Sequence, residues 1–469
     1  MPNLIPEFAI VGHPNEGKSS VVSTLSEDDS VRVSSIPGET TECRIFPVLI
    51  DGREVIRFID TPGFQNPRQT LAWMRAYQGD DRNMLAEFIR MHGNDPTLHD
   101  DCALLGPLAA GAGIIFVVDG SRPLRNMDRA EMEILRLSGR PRMAIINCKD
   151  ENSSFLTDWQ NEFRKHFNAI RLFNSNKATY SQRIALLKSL KAIDQDLEGV
   201  IETVIQAFRA EWESRRQQSA ALITTMLKES LLYRANAPCP PGADEERLKA
   251  ELHKAYTEFV AQRERIAHQQ LRRLFKHNLF NLQLPDQSIL QENLFAAKTW
   301  EFLGLTSDDL ILAGAVSGAA VGVGVDVLTV GISFGVFAAI GGAIGAVSAA
   351  LKGRNFLSGT KLLGMKLDRQ QMQVGPVTNI QLLYILLDRA LLYCHHVANW
   401  AHGRRDYPDA LPTPTGEKLG CASSWNTDDR KICNRFFQTL QKDDTSAQEQ
   451  AEEELSGLLR EKLREITEE

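Results

Sequence analysis

Gly12-His13-Pro14-Asn15-Glu16-Gly17-Lys18-Ser19 is the stretch on which the reading of this chain turns. It fits G-x-x-x-x-G-K-[ST], a loop that cradles phosphates between a strand and a helix. The context agrees. Phe8 to Val11 is a short apolar run that reads as a buried strand, and Ser20 to Leu25 reads as the start of a helix. Glycine lets the backbone bend closely around a phosphate chain, so that successive N–H groups point at its oxygens. Glu16, Gly17, Lys18, Ser19 and Ser20 form the expected cradle. Within it Lys18 reaches the terminal phosphates, stabilising charge there, and the Ser19 hydroxyl ligates Mg²⁺.

Downstream segments supply the partners this loop needs. Ser35 to Glu42 is a polar loop between the first helix and a strand read as Cys43 to Ile50. A nucleotide switch places a Mg²⁺-binding, γ-phosphate-sensing threonine there; Thr41 is the first choice and Thr40 the alternative. Val55 to Ile59 is an apolar strand ending in Asp60-Thr61-Pro62-Gly63. Asp60 is placed to hold Mg²⁺ through a water. The Gly63 amide is placed to touch the γ-phosphate and lose it on hydrolysis, releasing the loop. The buried strand Gly113 to Asp119 follows, then a helix over Asp128 to Leu137, then the strand Met143 to Ile146. That last strand runs into Asn147-Cys148-Lys149-Asp150, close to the guanine-reading N-K-x-D. Asp150 would accept hydrogen bonds from guanine and Asn147 would brace the loop. Cys148 departs from the pattern, because a lysine stem normally packs over the base there. Ser175 and Asn176 sit where a backbone amide meets the guanine oxygen.

Strands alternating with helices predict a mostly parallel sheet with helices on both faces and the ligand at the carboxyl ends of the strands. Taken together, these motifs resemble the Era/TrmE-type GTPases of the translation-factor class over roughly residues 8–185. The resemblance implies a P-loop GTPase that binds GTP/GDP and Mg²⁺. It also implies two refinements. Phe64 stands where many small GTPases carry a water-orienting glutamine, so catalysis must be completed elsewhere. Asn15 matches the asparagine that helps bind K⁺ near the β- and γ-phosphates in the TrmE-like subgroup, where the cation supplies charge in place of an arginine finger. G-domain homodimers are common in that subgroup. Between Gly63 and Gly113 the chain carries an enlarged segment: Gln65 to Arg90 has helical spacing and His92 to His99 reads as a loop.

The remainder reads as largely α-helical. Leu197 to Arg234 and Asp244 to His277 have apolar residues at helical spacing and are separated by Asn236 to Gly242, an emphatic break, which makes a helical hairpin. Leu310 to Leu351 is apolar and glycine-rich, with Asp326 as its one ionisable residue. Its glycines recur four apart (Gly314, Gly318, Gly322), a small-x-x-x-small pattern that lets helices approach closely in lipid. Two spans fit its length, with membrane lipid as the expected partner; a buried soluble hairpin is the alternative. Ile380 to Trp400 and Ala447 to Glu469 read as further helices. The division is 1–190 for the GTPase domain, 191–300 for the hairpin, 301–355 for the apolar stretch and 356–469 for the helical end. This order resembles bacterial proteins that join such a GTPase to a C-terminal domain of unknown function.

Composition narrows the classes. The net charge is −7 over 469 residues, and no KH-type loop or aromatic-basic sheet pattern stands outside the first third, so nucleic acid is not the expected partner. Seven scattered cysteines without a C-x-x-C pair suit reduced thiols in the cytoplasm. If residues 310–351 insert, the chain is attached to the cytoplasmic face of the inner membrane. The expected activity is a GTP-hydrolysing switch, K⁺-stimulated, that couples nucleotide state to a membrane or to an unknown protein partner. An RNA- or ribosome-associated assembly factor and a GTP-controlled membrane-remodelling protein are the alternatives.

Overall fold

The computed structural model describes residues 5–13, 16–26, 42–50, 52–148, 154–174, 178–276, 290, 294–295, 363–368, 371–399 and 420–468. The apolar stretch 310–351 lies outside them.

The N-terminal sheet has six strands: β1 (Glu7–Val11), β2 (Arg44–Ile50), β3 (Arg53–Asp60), β4 (Gly113–Asp119), β5 (Arg142–Asn147) and β6 (Ala169–Phe173). Their order is β2-β3-β1-β4-β5-β6. All neighbours run parallel except β2 and β3, which form an antiparallel pair. β4 is GIIFVVD and buried up to its last residue, as expected of a central parallel strand covered on both faces. The helices that cover it are α1 (Lys18–Ser26), α2 (Pro67–Ala76), α3 (Met84–His92), α4 (His99–Ala109), α5 (Asn126–Leu137), α6 (Leu156–Phe163) and α7 (Tyr180–Lys191). The mostly parallel α/β architecture is the one the motifs predict.

The enlarged segment after Gly63 differs from its sequence reading. Its helical spacing does not build one helix over 65–90. α2 stops at Ala76, a short 3-10 turn spans Asp81–Asn83, and α3 starts anew at Met84. α4 then follows the loop at 93–98; its Gly106 and Pro107 hide it from a propensity reading. α2 and α3 pack through an aromatic group in which Trp73 stacks on Tyr77 (5.3 Å between centroids) and meets Phe88 edge-on (5.2 Å).

The C-terminal region is mainly helical: α8 (Gln195–Leu232), α9 (Glu245–Leu274), α10 (Gln381–Ala398), α11 (Thr427–Leu440) and α12 (Thr445–Glu468). α8 and α9 form the expected hairpin; their N-caps are Asp194 and Asp244, whose side chains accept from the amides of Asp196 and Arg247. The break between them, however, is partly a strand. β7 (Ala235–Pro238) pairs antiparallel with β9 (Gln371–Val377), which pairs with β8 (Leu363–Asp368). Gly375 lies inside β9. A Cβ there would come within 2.3 Å of the Tyr233 carbonyl oxygen, so glycine is what lets this strand approach the end of α8.

Among the described residues, the apolar core is not divided at residue 190. One apolar cluster runs from Phe8, Ile10, Val48 and Ile50 of the six-stranded sheet through Leu187 and Leu190 to Trp212, Leu271 and Leu391. Its aromatic hinge is Tyr180 of α7, stacked on Trp212 of α8 at 4.4 Å, with Phe275 edge-on to Trp212 at 5.3 Å. Among the described residues, no helix is long and apolar enough to cross a membrane.

Candidate functional site

Register sets the site. β1 pairs with β3 so that Ile10 faces Asp60, and with β4 so that Val11 faces Phe116. The carboxyl ends of β1, β3 and β4 therefore open beside one another, and the loop after β1 turns there into α1. Gly12 passes so close to β4 that a Cβ would lie 2.2 Å from the Val117 carbonyl oxygen. Gly17 has φ of +90°, a conformation that favours glycine.

Lys18 is buried, and its Nζ donates to the carbonyls of Gly12 (3.0 Å) and His13 (3.1 Å). Burial pushes the ammonium pKa down, while Asp60, Glu131 and Glu16 act to hold it up. The Ser19 hydroxyl donates to Asp60 Oδ2 at 2.8 Å. Asp60 is 3% exposed, and its other oxygen, Oδ1, is buried with no hydrogen-bond partner among the described residues. Burial raises its pKa against the pull of Ser19, Lys18 and Arg44. An orphaned buried carboxylate oxygen beside a serine hydroxyl fits Mg²⁺: both are hard oxygen ligands, and the cation would compensate the buried charge. Among the described residues no group of three or more His, Cys, Asp or Glu could hold a metal ion.

Glu16 takes a role that the motif does not reveal. Its carboxylate accepts from the Asp119 amide and from Arg122 Nε. Arg122 in turn makes a bidentate pair with Asp128, 2.8 Å on each arm, and lies 5.0 Å over the Trp159 ring. Glu16 thereby ties the phosphate loop to the end of β4, and its carbonyl accepts from Asn147 Nδ2 at 3.2 Å. Asn147 thus bridges the end of β5 to the same loop. Ser20 is buried at the start of α1. Gly63 lies in the turn after β3, and Phe64 is buried in the core below it. Cys148 places its Sγ 3.6 Å from the position a Cβ would take on Gly120, at the turn after β4. Asn15, Thr40, Thr41, Asp150, Ser175 and Asn176 lie outside the described residues.

Three further residues lie around the site, of which Glu131 and Asp101 are unannounced by any motif. Glu131 of α5 is fully buried; its Oε1 lies 3.4 Å from His13 Nδ1, and its Oε2 has no partner among the described residues. Asp101 of α4 accepts from the amides of Gln65 and Asn66. Thr61 donates to the Ile10 carbonyl at 2.8 Å and fastens the end of β3 to β1. A sequence shows Glu131 and Asp101 only as charges on helices, which are usually solvated.

Comparison with known proteins agrees with this geometry. Residues 7–148 match the family model described as "50S ribosome-binding GTPase", and residues 161–464 match "Domain of unknown function (DUF3482)". Among curated proteins, the GTPase Era of Clostridioides difficile is 25% identical over 259 residues, 54% of this chain and 75% of that protein. GTPase Der of Agathobacter rectalis is 47% identical over 60 residues, 13% of each chain. A probable GTP-binding protein EngB of Shewanella amazonensis is 27% identical over 166 residues, 35% of this chain and 63% of that protein. The chain thus spans less than two thirds of the Der and EngB relatives it matches. Among solved structures, "NFeoB from S. thermophilus bound to GDP.AlF4- and K+" is 17% identical with a TM-score of 0.27, covering 56% of this chain and 91% of that one. The N-terminal third is a GTPase domain with the P-loop fold, and the chain belongs to the DUF3482 family.

Proposed function

We propose that this member of the DUF3482 family is a GTP·Mg²⁺ switch whose hydrolysis cycle is read by its own helical region. The observation that carries the proposal is the Ser19–Asp60 pair, with one carboxylate oxygen satisfied and the other buried and open. Ser19, together with Thr41, would ligate Mg²⁺, and Asp60 would hold it through a water. Held there, the ion would supply positive charge to the phosphoryl groups during hydrolysis. Lys18 would leave the two loop carbonyls for the phosphates, whose charge would restore its lowered pKa. Asn147 and Asp150 would select guanine, helped by amides at Ser175 and Asn176. Phe64 offers no group to orient the attacking water, so a K⁺ ion held by Asn15 is the proposed source of the missing charge, with a second G domain as the contributor of any further group.

Coupling to the helical region is supported by packing. Val48 and Ile50 of β2, the strand that follows the threonine loop, share one core with Trp212 of α8. Lys276, at the end of α9, reaches the Leu49 carbonyl of the same strand at 3.5 Å. A shift of β2 with nucleotide state would therefore press on α8 and α9. Residues 310–351 are the proposed membrane contact, on the cytoplasmic face.

Two assays test the proposal. GTP hydrolysis by the full chain should be several-fold faster in KCl than in NaCl; equal rates would remove K⁺ from the scheme. The full chain should stay with membranes after an alkaline wash, and a chain lacking 310–351 should not. A full chain that is soluble from the outset would make that stretch a buried hairpin.

A further inference from the structure

Asp101 stands in the enlarged segment, thirty-eight positions beyond Gly63, yet its carboxylate closes on the backbone that leaves the Gly63 turn. Oδ2 accepts from two successive amides, Gln65 N and Asn66 N, each at 3.0 Å. Oδ1 accepts from the Thr70 hydroxyl at 2.9 Å. The residue is fully buried. Two adjacent amides on one oxygen fix the orientation of the peptide between them, and these amides open α2, where unpaired N–H groups and the helix dipole favour a negative charge. The segment has a second anchor, because Phe64 is 3% exposed and belongs to the same buried cluster as Leu71, Met74 and Leu105. On the other side of the turn, Thr61 is bonded to the Ile10 carbonyl. The residues between these tethers are Pro62 and Gly63.

We propose that Asp101 is a positioning residue for GTP hydrolysis: it fixes the exit of the Asp60-Thr61-Pro62-Gly63 turn, so that the Gly63 amide is held toward the γ-phosphate. The proposal rests on the nucleotide-switch reading above. It gives α4 a task in the cycle: the helix acts as a fixed post, and nucleotide-dependent movement is confined to the two residues before the clamp. Its chemistry also predicts which replacement is tolerated. Asparagine keeps one carbonyl oxygen for both amides and can turn its NH₂ toward the Thr70 hydroxyl, which then accepts instead of donating. Alanine removes the acceptor from the buried Thr70 hydroxyl and from the two half-buried amides.

The test uses the full chain, with single-turnover GTP hydrolysis, GDP affinity and residue-resolved amide exchange read in parallel. In the wild type, the Gln65 and Asn66 amides should be protected with GDP and with a non-hydrolysable GTP analogue alike. Asp101→Ala should lower the hydrolysis rate about tenfold or more, as a misplaced group near the reacting centre does. GDP affinity should stay within about twofold, since the clamp serves the transition state and not ground-state binding. Asp101→Asn should retain hydrolysis within about threefold of wild type. Hydrolysis at the wild-type rate in Asp101→Ala would overturn the proposal, and so would equal losses in the two variants. If Asp101→Ala does not fold, the exchange data and Asp101→Asn decide: open Gln65 and Asn66 amides in the wild type overturn it, and so does a tenfold loss in Asp101→Asn. A wild-type chain that binds no GTP would overturn the switch reading instead, and the exchange data would still report whether the clamp exists.

Discussion

Two buried clusters of this molecule, one in each region, hold charge in opposite ways. In the helical region, Arg389 of α10 closes on Glu264 of α9: Nε and Nη2 both face the carboxylate, and Nη2 also donates to the Leu290 carbonyl at 3.1 Å. Both residues are 5% exposed or less. Nearby, His268 stacks on Tyr393 at 3.9 Å, and burial pushes its imidazole down to about 4, so it is neutral at physiological pH. In the GTPase domain, Lys18 is surrounded by Asp60, Glu131 and Glu16 but donates only to loop carbonyls, and both Asp60 and Glu131 keep a buried oxygen without a partner among the described residues. A closed ion pair is a device for folding. A set of buried charges left open toward one cleft is costly to fold, and a ligand that completed it would offset that cost.

That contrast can be broken by mutation, and the largest effect belongs to the closed pair. Glu264→Ala should destabilise the chain by about 3–5 kcal/mol, because it strands the Arg389 guanidinium in the core. Denaturant unfolding checks this, and the fraction that remains folded should bind GTP as the wild type does. A loss of less than about 1 kcal/mol would mean that the pair is hydrated and the contrast is false. Next comes Lys18→Ala, which should cut GTP affinity at least about a hundredfold, roughly 2.7 kcal/mol, with little cost in stability. Unchanged affinity in a direct titration would remove the phosphate site altogether.

The smallest effect concerns Glu131. Burial holds its carboxyl above the ordinary range, with His13 and Lys18 offsetting only part of that. The sign follows from linkage: the folded chain binds this proton more tightly than the unfolded chain does. The stability associated with the protonated form is complete below about pH 4.3, the unfolded value, and is lost as pH rises through the raised folded value. Glu131→Gln should therefore stabilise the nucleotide-free protein by about 1–2 kcal/mol at pH 7, and the gain should vanish near pH 4. A gain that persists at pH 4 would point to packing rather than charge.

The nucleotide domain was legible because its signals are local. Phe8 to Val11, Gly113 to Asp119 and Met143 to Ile146 are continuous apolar runs, and the loops between them hold residue types that phosphate chemistry demands. The long helices α8 and α9 were legible for a similar reason, since a 3.6-residue period sustained over many turns has few other readings. What escaped depends on partners distant in the chain. Ala235–Pro238 is four residues long and ends in proline, and it becomes a strand only because Gln371–Val374 arrives beside it. Asp101 looks like the acidic first turn of a surface helix until the Gln65 and Asn66 amides are placed against it. Trp212 was legible as an apolar position of α8, but not as the ring on which Tyr180 stacks to join the two regions.

The most direct measurement is single-turnover GTP hydrolysis by wild type and Asp60→Asn across a Mg²⁺ titration, with GTP occupancy followed in the same samples. If the open oxygen of Asp60 is the place reserved for the ion's water shell, wild-type hydrolysis requires Mg²⁺. Asp60→Asn then needs at least about tenfold more Mg²⁺ to reach half its own maximal rate. Mg²⁺ curves that coincide for the two proteins, or hydrolysis by the wild type without the ion, would contradict the account.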